Sequence, residues 1–168
     1  ENMGSFQKAF ENIDGKDKKM RDIRLLLFAI TAENYEEIRD QLIDFCKEKA
    51  LVQDIIKVII ERAWTQAQFT KVYASLIFDL GNHSYDWCII AKKEDEPVKY
   101  DTKQFKNMVI ELIRREFFGG FKAFKNYIIS IEENKDLTTE EKFERYVKKK
   151  NKLMGNIGFI AELHLLKY

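Results

Sequence analysis

Apolar residues recur along most of this chain at the three-to-four-residue spacing of a single helix face. From Lys18 onward, Met20, Ile23, Leu26, Leu27 and Ile30 keep that period and predict a first helix. Thr31-Ala32-Glu33-Asn34 interrupts it, with the threonine as candidate cap for a second helix. Tyr35, Ile38, Leu42, Phe45 and Cys46 form the apolar face of that helix, with Glu36, Glu37, Arg39 and Asp40 outside. A third helix carries two stripes, one of Leu51, Ile55, Ile59 and Ala63 and another of Val52, Ile56, Ile60 and Trp64. A helix apolar on two sides belongs inside a stack. Phe69, Val72, Tyr73, Leu76 and Ile77 predict a fourth helix, closed by Gly81-Asn82.

Elsewhere the pattern is broken more often. The segment through Gly15 shows no convincing period, so residues 1–17 are expected to be poorly structured and 18–168 to fold. Ala91 to Tyr100 holds a charged run and the only proline, Pro97, and reads as a surface loop. Phe105, Met108, Val109, Leu112 and Phe117 predict a fifth helix, which Gly119-Gly120 is expected to interrupt before an aromatic cluster of Phe121, Phe124 and Tyr127. Thr138-Thr139-Glu140-Glu141 has capping-box spacing for a sixth helix carrying Phe143, Val147 and Leu153. A last helix is expected to start at Gly155-Asn156. It is apolar on nearly every side, yet no sequence follows to cover it, so the chain reads as a truncated piece of a larger array. Its Ile157, Ile160 and Ala161 side is expected to pack inward, with some of Leu163, Leu166 and Tyr168 exposed.

Helices joined by short turns, none burying its face alone, indicate an all-α fold: a HEAT-type α-solenoid of antiparallel helix pairs, with a closed helical bundle as the alternative. One proline and seven glycines agree with long helices. The 29 basic and 28 acidic residues nearly cancel, so any nucleic-acid contact has to come from a local patch. No apolar run suits a membrane span; Cys46, in an apolar-periodic segment, reads as a small core residue, and the unpatterned pair Cys46 and Cys88 suggests a reducing setting, cytoplasmic or nuclear.

No phosphate loop, nucleophile elbow or metal-ligand spacing occurs, so no catalytic residue, metal or cofactor is expected. His83 lies in a polar stretch near a helix-ending glycine, and His164 reads as a packed or rim histidine. Two features could bind a partner. Lys148, Lys149, Lys150 and Lys152 form a basic block that suits an RNA backbone, or else the solvated C-terminal turn of a helix. The turn from Trp64 to Phe69 is flanked by aromatics that either pack inward or anchor a partner.

Four segments, in order, resemble the middle domain of eukaryotic translation initiation factor 4G. They are Arg24 to Tyr35, Ile60 to Leu76, Arg115-Glu116-Phe117, and the signature-like Gly155-Asn156-Ile157-Gly158-Phe159-Ile160-Ala161-Glu162-Leu163. Phe28-Ala29 and Gln66-Ala67 replace the family's Asn-Lys and Glu-Pro, which marks a divergent member. The resemblance implies that residues 18–168 are the N-terminal part of a HEAT-repeat middle domain. It also implies a monomeric scaffold that binds a DEAD-box helicase of the initiation factor 4A type, RNA and other initiation factors. The matched turn places helicase binding at Gln66, Gln68 and Phe69. Related middle domains in nonsense-mediated decay, splicing or deadenylation are alternatives, as is a stand-alone RNA-binding helical module.

Overall fold

The computed structural model describes the backbone of residues 3–91 and 99–167 and the side chains of 15–90 and 100–167. Six α-helices dominate the described residues: α1 Met3–Ala29, α2 Tyr35–Cys46, α3 Lys49–Thr65, α4 Thr70–Asn82, α5 Lys103–Glu133 and α6 Thr139–Leu165. Strands β1 Ile89–Ala91 and β2 Lys99–Tyr100 pair antiparallel, Ile89 opposite Tyr100, in the connection between α4 and α5. The surface loop expected there therefore has paired ends, and residues 92–98 lie outside the described residues.

The pattern of helix neighbours separates the two architectures considered above. Within pairs, α1 meets α2, α3 meets α4 and α5 meets α6. One layer runs α1, α3, α5 and the other α2, α4, α6, each helix touching the next of its layer. Among the described residues, no principal contact joins α1 or α2 to α5 or α6. A closed bundle brings its first and last helices together; a stack in which each pair meets its neighbours is a solenoid. The all-α solenoid expectation holds, and the bundle does not.

Helix α3 is the centre of the stack, touching the other five, and its two stripes are the reason. Leu51, Val52, Ile55, Ile56, Ile59, Ile60 and Ala63 are essentially inaccessible, and Trp64 is buried. Cys46 is buried at the end of α2 as expected, and desolvation pushes its thiol up to about 12. Behind it, Trp87 Nε1 donates to the Cys46 carbonyl at 2.9 Å, and Tyr85 stacks on Trp87 at 5.2 Å. This sews the α4–α5 connection onto α2.

The helical backbone of α1 begins at Met3. Three local expectations are corrected. Asn34, not Thr31, shapes the α1–α2 bend: its side chain accepts from Thr31 N–H at 2.6 Å and donates to the Ala29 carbonyl at 2.8 Å. Gly119-Gly120 does not interrupt α5, which is anchored near its two ends by buried Phe105, Val109 and Leu112 and by buried Ile131. Gly155-Asn156 starts no helix but lies inside α6, which is launched at Thr138 by the predicted capping box. Thr138 Oγ1 accepts from Glu141 N–H at 3.2 Å and the Glu141 carboxylate accepts from Thr138 N–H at 2.8 Å.

Candidate nucleic-acid and partner interface

Gly155 decides how α6 sits. A Cβ there would lie 2.5 Å from the Trp64 carbonyl oxygen and 3.0 Å from the Trp64 Cα, so only glycine lets α6 cross the end of α3 this closely. The side of α6 that turns inward is then Gly155, Asn156, Phe159 and Leu163. This corrects the expected face: Ile157 and Ala161 are exposed, Ile160 is half-buried and Leu163 is buried. Leu166 is half-buried, and Tyr168 lies outside the described residues.

The lysine block occupies the middle of α6, not a C-terminal turn, so the dipole explanation for it falls away. Successive residues turn by about 100°, which spreads the four ammonium groups around the helix. Lys149 and Lys152 reach across to rings of neighbouring helices. Lys149 Nζ lies 5.1 Å from the Tyr127 ring centre and Lys152 Nζ 5.5 Å from that of Trp64, both within cation–π range. Lys148 and Lys150 are exposed, with Lys150 on the far side. Beneath Lys149 and Lys152 is a cavity of about 60 Å³, bordered also by Glu116, Gly120, Phe124 and Asn156. Two buried polar atoms, Trp64 Nε1 and Asn156 Oδ1, have no protein partner among the described residues.

Of the three turn residues, Gln66 is tied down: its Oε1 accepts from Tyr73 OH at 2.7 Å, and its backbone closes α3. Gln68 is exposed, and Phe69, in a single 3-10 turn Ala67–Phe69, is 37% exposed. Trp64 packs inward and Phe69 only partly, so the two aromatics play different parts. Gln68 borders a shallow hollow of about 490 Å³ with Asn151, Met154 and Gly158 of α6. The structure thus brings Gln68 and the lysine segment to the same junction and leaves Gln66 inside it.

Sequence reasoning missed the other half of the charged surface. Residues 117–131 of α5 and 145–161 of α6 contain Lys122, Lys125, Arg145, Lys148, Lys149, Lys150 and Lys152 and no carboxylate. Phe124 and Tyr146 meet across the two helices at 6.1 Å, so these stretches adjoin. An acid-free stretch can be read from sequence; its facing partner, 20 or so residues away, cannot without the α5–α6 pairing. Arg62 over the 72%-exposed Phe28 ring, at 5.1 Å, is likewise invisible in the sequence pattern. Among the described residues no group of three His, Cys, Asp or Glu side chains gathers to hold a metal, and no helix is long and apolar enough to cross a membrane.

No family model matches the chain. Among curated proteins it is similar to eukaryotic translation initiation factor 4 gamma 2 of Homo sapiens and of Mus musculus, 25% identical over 148 residues, 88% of this chain. It is 24% identical to eukaryotic translation initiation factor 4G of Arabidopsis thaliana over 153 residues, 90% of this chain. The chain spans 16% of the length of the mammalian proteins and 8% of the plant protein. Over most of its length, then, this helical stack is distantly similar to translation initiation factors of the 4G type.

Proposed function

We propose that this chain is a non-enzymatic scaffold segment in translation initiation, holding a DEAD-box helicase of the initiation factor 4A type and contacting RNA in the cytoplasm. The observation that carries the reading is the extent of the similarity to initiation factors 4G and 4 gamma 2, 88–90% of this chain, enough to take in the Gln66–Phe69 turn. In this reading the exposed Gln68 and Phe69 contribute to the helicase contact, and Gln66 supports the turn from inside. Lys148, Lys149, Lys150 and Lys152 supply the RNA contact, with other initiation factors joining elsewhere.

A scaffold of this kind needs no chemistry of its own. A rigid array that binds both lobes of a helicase changes its activity only through unequal affinity for the open and closed forms. Binding of purified helicase, with and without ATP analogue and RNA, tests the reading. Gln68→Arg adds bulk and charge at an exposed position without disturbing the core. It should weaken helicase binding, and unchanged affinity removes the turn from the interface. The basic stretches 117–131 and 145–161 of α5 and α6, which hold no carboxylate, favour a second reading, a stand-alone RNA-binding module, which predicts RNA affinity with no helicase affinity at all.

A further inference from the structure

The α5–α6 pair carries a feature that backbone electrostatics does not account for. On α5, Phe118 is 66% exposed and Phe121 is 56% exposed, large rings left in water although the stack has apolar interior to offer. Each has an exposed lysine one helical turn onward, Lys122 after Phe118 and Lys125 after Phe121. Residues three and four apart share a helix face, so the two rings and two ammonium groups form one stripe, with exposed Arg114 a turn before Phe118. No carboxylate occurs from Phe117 to Ile131. Beside the rings stand Gly119 and Gly120, poor helix residues at which an added Cβ would meet nothing within 4 Å. Packing does not require these glycines.

We propose that this stripe is a stacking platform for single-stranded RNA, on which Phe118 and Phe121 take unpaired bases while Lys122 and Lys125 meet the phosphates beside them. The inference rests on the RNA-binding reading above and adds to it the form of RNA bound and a second contact surface on α5. Every base offers a π-face, so such a platform binds single strands with little regard to sequence and rejects duplexes, whose bases are already stacked. Phe118 also borders an apolar hollow lined by Ile110, Ile113, Phe117 and Ile160, but Phe121, Lys122 and Lys125 are not part of that lining. The alternation of rings with ammonium groups and the absence of carboxylates from Phe117 to Ile131 are what favour nucleic acid here.

Anisotropy titrations with a short single-stranded RNA, its duplex and a 2-aminopurine-substituted strand test this on the whole chain. The wild-type protein should bind the single strand better than the duplex and change the 2-aminopurine emission. Phe118→Ala with Phe121→Ala should weaken single-strand binding roughly tenfold or more, leaving the salt slope and the circular dichroism unchanged. Lys122→Gln with Lys125→Gln should instead flatten the slope. RNA binding that ignores the phenylalanine change, with silent 2-aminopurine, overturns the platform and leaves the RNA reading standing. No RNA affinity at low salt overturns both. If the phenylalanine change abolishes helicase binding and leaves RNA binding intact, the stripe is a protein-docking face and the inference is wrong.

Discussion

Substituting Gly155 by alanine tests whether the close crossing of α6 over α3 is what orients the last helix. In an open helix interior, glycine to alanine is stabilising by about 0.5–1 kcal/mol, through backbone entropy. Here the new Cβ would sit 2.5 Å from the Trp64 oxygen, and the obstacle is backbone, which cannot swing aside. Restoring an ordinary contact of 3.4 Å moves α6 back by about 0.9 Å along that line. A gap of that size forfeits a quarter to a half of the dispersion energy of the surfaces it separates. Those surfaces include the fully buried Phe159 and the buried Leu163, so the expected cost is the roughly 1–3 kcal/mol typical of overpacking. Gly158→Ala is the control, one turn along the same helix with nothing within 4 Å of the new methyl group. The two variants should move in opposite directions and differ by about 1.5–4 kcal/mol, or on the order of 10 °C in Tm. Urea unfolding followed by helical circular dichroism and tryptophan fluorescence measures both. Equal stability of the two variants would show that the crossing is not constrained by Gly155.

Three regions of the molecule give further outcomes. Thr138→Ala removes the cap of α6 and should destabilise by about 1 kcal/mol in urea unfolding. The hydrogen bonds from Thr138 hold the Glu141 carboxyl below its ordinary value, so its contribution is present above pH 4.5 and lost as pH falls through the lowered folded value; Glu141→Gln should flatten that part of the stability–pH curve. Changing Lys148, Lys149, Lys150 and Lys152 to glutamine should reduce the salt slope of single-strand RNA binding by about 0.7 for each phosphate no longer neutralised, with helicase affinity unchanged. Cys46, fully buried and with its thiol held up at about 12, should react with a thiol reagent only as fast as the protein opens; immediate labelling in the folded state would contradict its placement.

Much of this fold is legible in the chain because the apolar period is local. The two stripes of α3 identify the most buried helix without any structure, and the Thr138–Glu141 spacing marks where α6 begins. The glycines show where local reading stops. Gly119-Gly120 and Gly155 look alike as punctuation, yet neither ends a helix. The first pair is carried through by a 31-residue helix fixed to buried neighbours near both ends, and Gly155 is a contact point with another element. The inner face of α6 escapes local reading for a related reason. A helix apolar around most of its circumference does not specify its inner side; the position of closest approach does. The lysine block is visible in the sequence, but the seats of Lys149 and Lys152 on Tyr127 and Trp64 depend on residues 22 and 88 positions away. The division of labour in the turn, with Gln66 held by Tyr73 and Gln68 turned to solvent, is equally out of reach of a local pattern.

The lack of principal contacts, among the described residues, between α1 or α2 and the last helix pair shapes how the molecule comes apart and how it forms. Cooperativity in such a stack passes only between neighbouring pairs, so protection against amide exchange should grade along the chain with its maximum at α3. During synthesis the first two helices wait on α3 for a surface to bury, and each later pair then docks on one already in place. Assembly therefore advances from N- to C-terminus as a growing front. At every stage the front exposes an apolar helix face, and the same property that makes the array extendable makes its unfinished end adhesive.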